Sequence, residues 1–596
     1  MATRLSIHGG YVRLLRRGAG AASVAVMVLL AACGGSGSPP QAPPPAGDTT
    51  PPTVQATSPA GSASAVATST TVTVTFSEAV DATTLTASTF TLSVGGVAVA
   101  GSVSASGPVA SFLPAAPLAN GMVHSASVST AVKDTAGNAL AAMHTWTFTT
   151  AAAAAPSWSA PVLLETAAGQ ASEPAIAATS EDLPTLSAQS TAVWVQHDGV
   201  QPSIYVNRYI GGAWQGAELV ESQTAVANAS AGGAGQPRVA MGAFGRAVVT
   251  WLYDDGNAGY SIWGNVYDGA FAPANARQIS AGGNASDPQI AFDGAGNDVF
   301  TVWTQYDSVR LPASYHITQR QFLFVPCAFV VPCVFDPNDF GWRSATLVET
   351  DPYDAIAPQI SGFRTGGAVA VWSKAQGLFG LEVWGATHSK AGGWATSVRI
   401  NGGNNRAEQP AVAAAPDGSA VATWIESVAG RKSLFASRLS GAGWSAPVTF
   451  DDASAGQVDA PQLIADAAGN SVIVWLQFSA GTWALYSRRC PPGPLSGCSA
   501  PAKIENLPGQ AELPRIAGAP DGTAVVVWQQ QATSGGPRDI YANHYSSAGG
   551  WGAAAELIDT AAGGAQVAID KRGIATVVWC KFDASGKSSI YASRDR

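Results

Sequence analysis

Carboxylates recur at one kind of place in the second half of this chain. Glu173, Asp287, Glu408, Asp459 and Glu512 each stand one or two residues before a proline that opens an apolar run. A second set, Gln196, Gln305, Glu426, Gln477 and Gln530, falls two residues after a tryptophan that closes a valine-rich run. If the repeats carrying them surround one axis with the proline-led strand innermost, both sets share one mouth and form an acidic, amide-rich ring. Five carboxylates near one axis repel unless a cation or a polyol ligand occupies the space between them. A cation at that mouth is the one cofactor the sequence suggests. The plainer and favoured assignment is that each side chain caps its own turn or binds a neighbouring amide, since repeats copy their turn chemistry.

No other pattern points to catalysis, and no catalytic residue is assigned. The histidines, His8, His124, His144, His197, His316, His388 and His544, are scattered, and none sits in a His-Glu-x-x-His helix motif. A Gly-x-Ser-x-Gly elbow, a phosphate-binding loop and a dinucleotide fingerprint are all missing from the sequence. The net charge of -9 argues against a nucleic-acid partner, which requires a basic face.

The elements that must position these residues follow from a repeat. A valine-rich strand ending in tryptophan returns at Trp194, Trp251, Trp303, Trp372, Trp424, Trp475, Trp528 and Trp579. Eight copies at about fifty residues mean a propeller or a solenoid. Around Trp528 the unit reads as four strands: Pro514–Ala517, Ala524–Trp528, Asp539–Tyr545 and, after a Gly549-Gly550-Trp551 turn, Ala554–Ile558. Short strands joined by tight turns make an up-and-down sheet, one propeller blade. Trp at one fixed strand position is what packing between blades requires, so the aromatics are core before they are ligand platforms. The last copy stops at a third strand, Ile590–Arg594, while Trp158–Val162 repeats the internal fourth strand Trp444–Val448. The sequence therefore predicts an eight-bladed β-propeller over 157–596, closed by pairing of N- and C-terminal strands, which removes exposed edges. The order of proline, Pro-Asp-Gly turn, strand and Ile-Tyr loosely resembles TolB-type propeller repeats. It departs from sialidase Asp-boxes, because Gly522 lies six residues before Trp528.

Residues 53–150 carry a different pattern. Thr71–Phe76 and Thr145–Thr149 alternate polar and apolar residues, as half-buried antiparallel strands do, and about a hundred such residues suit a β-sandwich. Asp48-Thr49-Thr50-Pro51-Pro52, Phe76-Ser77-Glu78-Ala79-Val80-Asp81, Val132–Leu140 and Trp146–Thr150 resemble the SbsA-type bacterial Ig-like domain, over nearly all of 51–150. The resemblance implies a spacer in a surface protein. The fold class is thus all-β throughout: an Ig-like β-sandwich plus a β-propeller.

The N-terminus reads as an export signal over 1–32. Arg4, Arg13, Arg16 and Arg17 precede the apolar run Ala21–Ala32, which is too short to span a bilayer. Leu30-Ala31-Ala32-Cys33 resembles the lipobox of bacterial lipoproteins, which implies cleavage before Cys33, lipidation of its sulfur and a membrane partner through the lipid anchor. Gly34 at the next position favours the outer membrane. Residues 33–52 are the lipidated Cys and a Pro/Gly/Ser linker. Cys327 with Cys333 and Cys490 with Cys498 are close pairs that read as disulfides in an exported chain, while Cys580 is left unpaired. Together these features predict a lipid-anchored cell-envelope protein with a non-catalytic binding or scaffold role. The propeller would face a glycan, a peptide or an envelope protein. The alternative is a polysaccharide-active hydrolase or lyase on the same scaffold.

Overall fold

The computed structural model describes residues 48–595 except 69, 116–117, 120, 152–157, 166–167, 180–189, 222–232, 243–244, 255–258, 268–270, 281–282, 294–297, 309–312, 324–341, 376–379, 404 and 534. The export signal, Cys33, most of the linker and the Cys327/Cys333 pair lie outside these residues. The described residues form antiparallel strands joined by turns and short 3-10 segments, in two compact units.

In the N-terminal unit, one sheet orders Val54–Ser58, Val72–Phe76, Val109–Pro114 and Gly101–Ser106. A second sheet contains His144–Thr150, Val123–Val128, Phe90–Val94 and Val97–Ala98. Strand alternation puts Val72, Val74, Phe76, Phe90, Phe112 and Phe148 inside, all at most 2% exposed.

The second unit holds eight successive sheets, numbered here one to eight along the chain. Their first strands are Ala171–Ala178, Gly233–Met241, Ala285–Phe292, Ala355–Gly362, Ala407–Ala414, Val458–Ala465, Gln510–Gly518 and Ala562–Ile569. Each lies against the first strand of the next sheet, and Ala562–Ile569 lies against Ala171–Ala178. Second strands carry the repeated tryptophans, all eight at 0% exposure. Trp251, for example, packs with Val193, Ile204 and Val206 of the preceding sheet. The fold is propeller-like.

The fourth strand is shorter than its sequence suggests. In sheet seven it is two fragments, Gly550–Trp551 and Glu556–Asp559, which pair separately with the third strand. In sheet eight it comes from the start of the unit: Val162 pairs with Ala592 and Leu163 with Tyr591. Leu164 is 1% exposed there, but Val162 remains 44% exposed, so only the former adds core. Cys490 and Cys498 form a disulfide across the third-to-fourth-strand turn of sheet six. Cys580 is unpaired, and burial pushes its thiol up to about 12, so little of the reactive thiolate forms at neutral pH.

Every first strand is bulged at the same place. Register shifts at Ser172/Ala175, Gly235/Arg238, Ser286/Gln289, Ile356/Gln359, Glu408/Ala411, Asp459/Gln462, Glu512/Arg515 and Gly563/Gln566. The residue at the bulge has φ between 48° and 69° in all eight sheets, with glycine (Gly564) only in the eighth. In seven sheets a proline follows, which cannot donate to the ladder and so fixes where pairing breaks.

Candidate functional site

The bulge splits the proline-linked carboxylates into two positions. Glu173 and Asp287 occupy the bulge itself, whereas Glu408, Asp459 and Glu512 precede it. Glu173 Oε2 accepts the N–H of Gln236, the bulge residue of the next sheet, at 2.6 Å. Gln409 does the same for Ala460 at 3.1 Å while its amide donates to Asp459 Oδ1 at 2.8 Å. Ser286 Oγ donates to Asp287. Glu408 pairs with Lys432 and Arg406, and Glu512 with Arg538. The Glu173 and Gln409 contacts tie sheet one to sheet two and sheet five to sheet six, while the others stay within one sheet.

The second set has one shared task. The indole N–H groups of Trp194, Trp303, Trp424, Trp475 and Trp528 donate to Gln196, Gln305, Glu426, Gln477 and Gln530 at 2.8–3.1 Å. The four glutamines then donate to loop carbonyls of Gly169, Gly283, Asp452 and Pro508. A buried indole N–H needs an acceptor, and a side chain two residues along the strand lies on the same face to supply one. Sheet eight has Lys581 at that position and uses Asp559 as the acceptor for Trp579 at 2.9 Å. In sheets two and four, with Tyr253 and Lys374 there, Trp251 and Trp372 have no indole partner among the described residues.

A further repeated polar position has no tryptophan or proline to flag it. It follows the last buried apolar residue of the fourth strand and holds Glu165, Glu221, Ser280, Glu349, Asn401, Asp451, Glu505 and Asp559. In four sheets its oxygen accepts a third-strand N–H: Glu165 from Ile590, Ser280 from Ile262, Asn401 from Val383 and Asp451 from Leu434. Five of the six carboxylates there have a cation: Lys587, Lys374, Arg431, Lys503 and Lys581. Glu221, 1% exposed, has none within 4 Å among the described residues, and burial raises it to about 7. The only sequence signal for this position was a polar residue directly after an apolar one.

One constellation has the shape of a nucleophile relay. Ser314 Oγ lies 2.8 Å from His316 Nε2, and His316 Nδ1 lies 2.8 Å from Glu349 Oε1, with Lys374 at 3.9 Å from Glu349. Acyl transfer requires the hydroxyl to meet a substrate carbonyl. Ser314 is 2% exposed and His316 0%, so no substrate atom reaches them in this conformation.

The accessible site is a cleft of about 690 Å³ where sheets one and eight meet. Tyr209 and Trp214 form an edge-to-face pair at 5.5 Å on one side. Arg594 lies 4.1 Å over the Tyr209 ring, and Arg572 and Asp595 complete the polar lining. Burial raises Asp595 to about 6, against the opposing effects of the Ala575 N–H and Arg594.

The expected cation does not find its ligands at the rim. Among the described residues, the one group whose carboxylate oxygens come within 4.8 Å of one another is Asp48, Glu78 and Asp134, in the N-terminal unit. Hard oxygen donors of this kind suit calcium or magnesium. Asp134 already accepts the N–H groups of Ala136 and Asn138 and the Asn138 amide, which uses most of its lone pairs.

These features define an all-β protein in which an Ig-like domain precedes a propeller-like array of sheets. Residues 48–150 match the bacterial Ig-like domain family. No curated protein is similar in sequence to the chain. Among solved structures, a protein of unknown function from Dyadobacter fermentans is 12% identical, covering 56% of this chain and 99% of its own, with a TM-score of 0.32. Polysaccharide lyase Uly1 is 10% identical, covering 70% and 89%, with a TM-score of 0.39. The β-propeller domain of the Trilobed protease from Pyrococcus furiosus is 10% identical, covering 66% and 96%, with a TM-score of 0.36.

Proposed function

We propose that the chain is a lipid-anchored cell-envelope protein with a non-catalytic binding role. In this reading residues 1–32 are removed on export, and Cys33 carries the lipid at the outer membrane. Residues 53–150 space the array from the anchor, and residues 157–596 act as one closed eight-bladed propeller. The observation that carries the binding role is the cleft between sheets one and eight. Aromatic faces beside fixed charges, in a cavity of about 690 Å³, suit a sugar ring or a peptide side chain. The partner would be a glycan, a peptide or an envelope protein.

A second reading, polysaccharide cleavage in the same cleft, is favoured by Asp595, a carboxyl held near neutrality and thus suited to proton transfer. One experiment separates the two. The purified protein is titrated with neutral, uronate and sulfated oligosaccharides and with envelope peptides, and each mixture is then assayed for chain cleavage. Binding without cleavage, weakened about tenfold or more by Trp214→Ala, is the expected result. Cleavage abolished by Asp595→Asn would establish the second reading. Affinity unchanged in Trp214→Ala would remove the cleft from both. In the native host, Cys33→Ala should move the protein from the membrane to the soluble fraction.

A further inference from the structure

The bulge has a consequence for the bore of the ring. The second residue after the bulge residue pairs, in every sheet, with the residue just before the buried tryptophan: Ala175, Arg238, Gln289, Gln359, Ala411, Gln462, Arg515 and Gln566. One level of the innermost strands therefore carries two arginines, four glutamines and two alanines. All eight are partly exposed, although they sit in the middle of the first strands.

Their hydrogen-bonding state contrasts with the rim. None of the four glutamine side chains makes a hydrogen bond among the described residues. Arg238 donates only to its neighbour's carbonyl, Pro237 O, at 3.0 Å, and Arg515 only to Pro514 O at 2.9 Å. Neither guanidinium has a carboxylate within 4 Å among the described residues. Both are held below the ordinary guanidinium range, first by burial, and Arg515 also by the positive charge of Arg238. Arg238 is on sheet two and Arg515 on sheet seven, three places apart around the ring and at the same register level of the first strands. Arg238 also senses Glu173 and Asp287 on the flanking sheets, which oppose that depression.

The far end of the bore has the same sign. A pocket of about 190 Å³ is lined by the last residues of five first strands, Gly362, Ala414, Ala465, Gly518 and Ile569, together with Arg364 and Lys571. The one acid there, Asp466, is already committed to the N–H groups of Ala468 and Asn470 and to the Asn470 amide. Cations thus stand at two levels of the axis in a chain of net charge -9, with Glu173 and Asp287 flanking Arg238 at the level of the bulge.

We propose that this level of the bore is a binding site for a small doubly charged oxyanion, phosphate or sulfate. Arg238 and Arg515 would hold it, and the amides of Gln289, Gln359, Gln462 and Gln566 would orient it. Guanidinium forks match oxyanion geometry two oxygens at a time, and amide N–H groups complete the shell. The anion relieves the repulsion between two half-buried cations that have no ion-pair partner within 4 Å among the described residues. The site is separate from the cleft between sheets one and eight, so it stands or falls independently of the function proposed above.

Calorimetric titration of the full chain at fixed ionic strength tests it, with inorganic phosphate, sulfate and chloride as separate arms. The expected result is one saturable site for phosphate or sulfate and none for chloride, and the arm with the higher affinity identifies the ligand. Affinity should fall about tenfold or more in R238Q and in R515Q, and remain unchanged in Trp214→Ala. Thermal unfolding gives a second readout. Without anion, both arginine variants should unfold at or above the wild-type temperature, because a like-charge contact has been removed, and added phosphate should stabilise wild type more than either variant. No saturable binding to folded wild type, or equal affinity in wild type and both variants, would overturn the proposal. If either glutamine variant fails to fold, R238K and R515K keep the charge but lose the fork, and undiminished affinity in both would likewise overturn it.

Discussion

In the closed-ring reading, the rim and the bore are built from similar side chains and differ in what those side chains do. At the rim, Gln477 joins the Trp475 indole to the Asp452 carbonyl, and Glu173 closes on the next sheet's bulge. A few residues away, Gln462 and Arg515 stand at an equally repeated position with no such commitments. Repetition alone therefore does not distinguish scaffold from site. The difference lies in satisfaction: a buried polar group with its partners in place is structural, while repeated polar groups left without partners around an accessible axis await something from outside.

The comparison requires a ring, so the largest expected effect is its opening. Deleting Trp158–Glu165 removes the pairing partners of Tyr591 and Ala592, uncovers the Leu164 contacts and breaks the Trp158–Glu556 hydrogen bond of 2.9 Å. The loss should reach roughly 3 kcal/mol or more, since burying one leucine is worth about 1.5–3 kcal/mol. Thermal and denaturant unfolding measure it. Leu163→Cys with Tyr591→Cys should cross-link spontaneously as facing strand neighbours. A stable deletion and no cross-link would leave the array open and the rim-and-bore contrast without meaning.

Next comes the contrast itself, in one pair of variants on sheet six. Gln477→Leu strands both the indole N–H and the Asp452 carbonyl and should cost about 1–3 kcal/mol. Gln462→Leu, in the bore of the same sheet, should change stability by no more than about 0.5 kcal/mol. Equal costs would show that both positions are structural. In sheets two and four Trp251 and Trp372 have no indole partner among the described residues, which argues for the lower part of the rim range.

A last effect, set apart by its pH dependence, belongs to Glu221, the one carboxylate at its position with no cation within 4 Å among the described residues. Burial raises its folded pKa from 4.5 to about 7, so the folded state keeps a proton that the unfolded chain releases earlier. Its favourable contribution is complete below about pH 4.5 and is lost as pH rises through 7. Glu221→Gln should remove that loss, with a wild-type-to-variant difference that grows to the order of 2–3 kcal/mol by pH 8. His544, whose pKa burial lowers to about 4, gives the opposite slope between pH 4 and 6.5 and cancels in that difference. A pH-independent difference would mean that Glu221 is already ionised in the folded protein.

The repeat, the alternation in 53–150 and the offset between chain ends were legible because each is a one-dimensional pattern: period, parity and a missing strand. Burial of every repeated tryptophan followed from the same logic. The polar residues were legible only as positions. Glu173 and Glu512 look equivalent beside their prolines, yet a one-residue bulge gives them different partners, and no local pattern in the sequence records which neighbour lies across the sheet boundary. The buried Ser314–His316–Glu349 relay joins residues up to 35 positions apart, and Arg238 and Arg515 are separated by 277 residues. The sequence by itself determined the three long strands of each repeat and their apolar faces, because these depend on neighbours along the chain. Only the tertiary structure decided which polar side chains were satisfied and which were left partly exposed without partners among the described residues, because hydrogen bonds and charge pairs depend on neighbours in space.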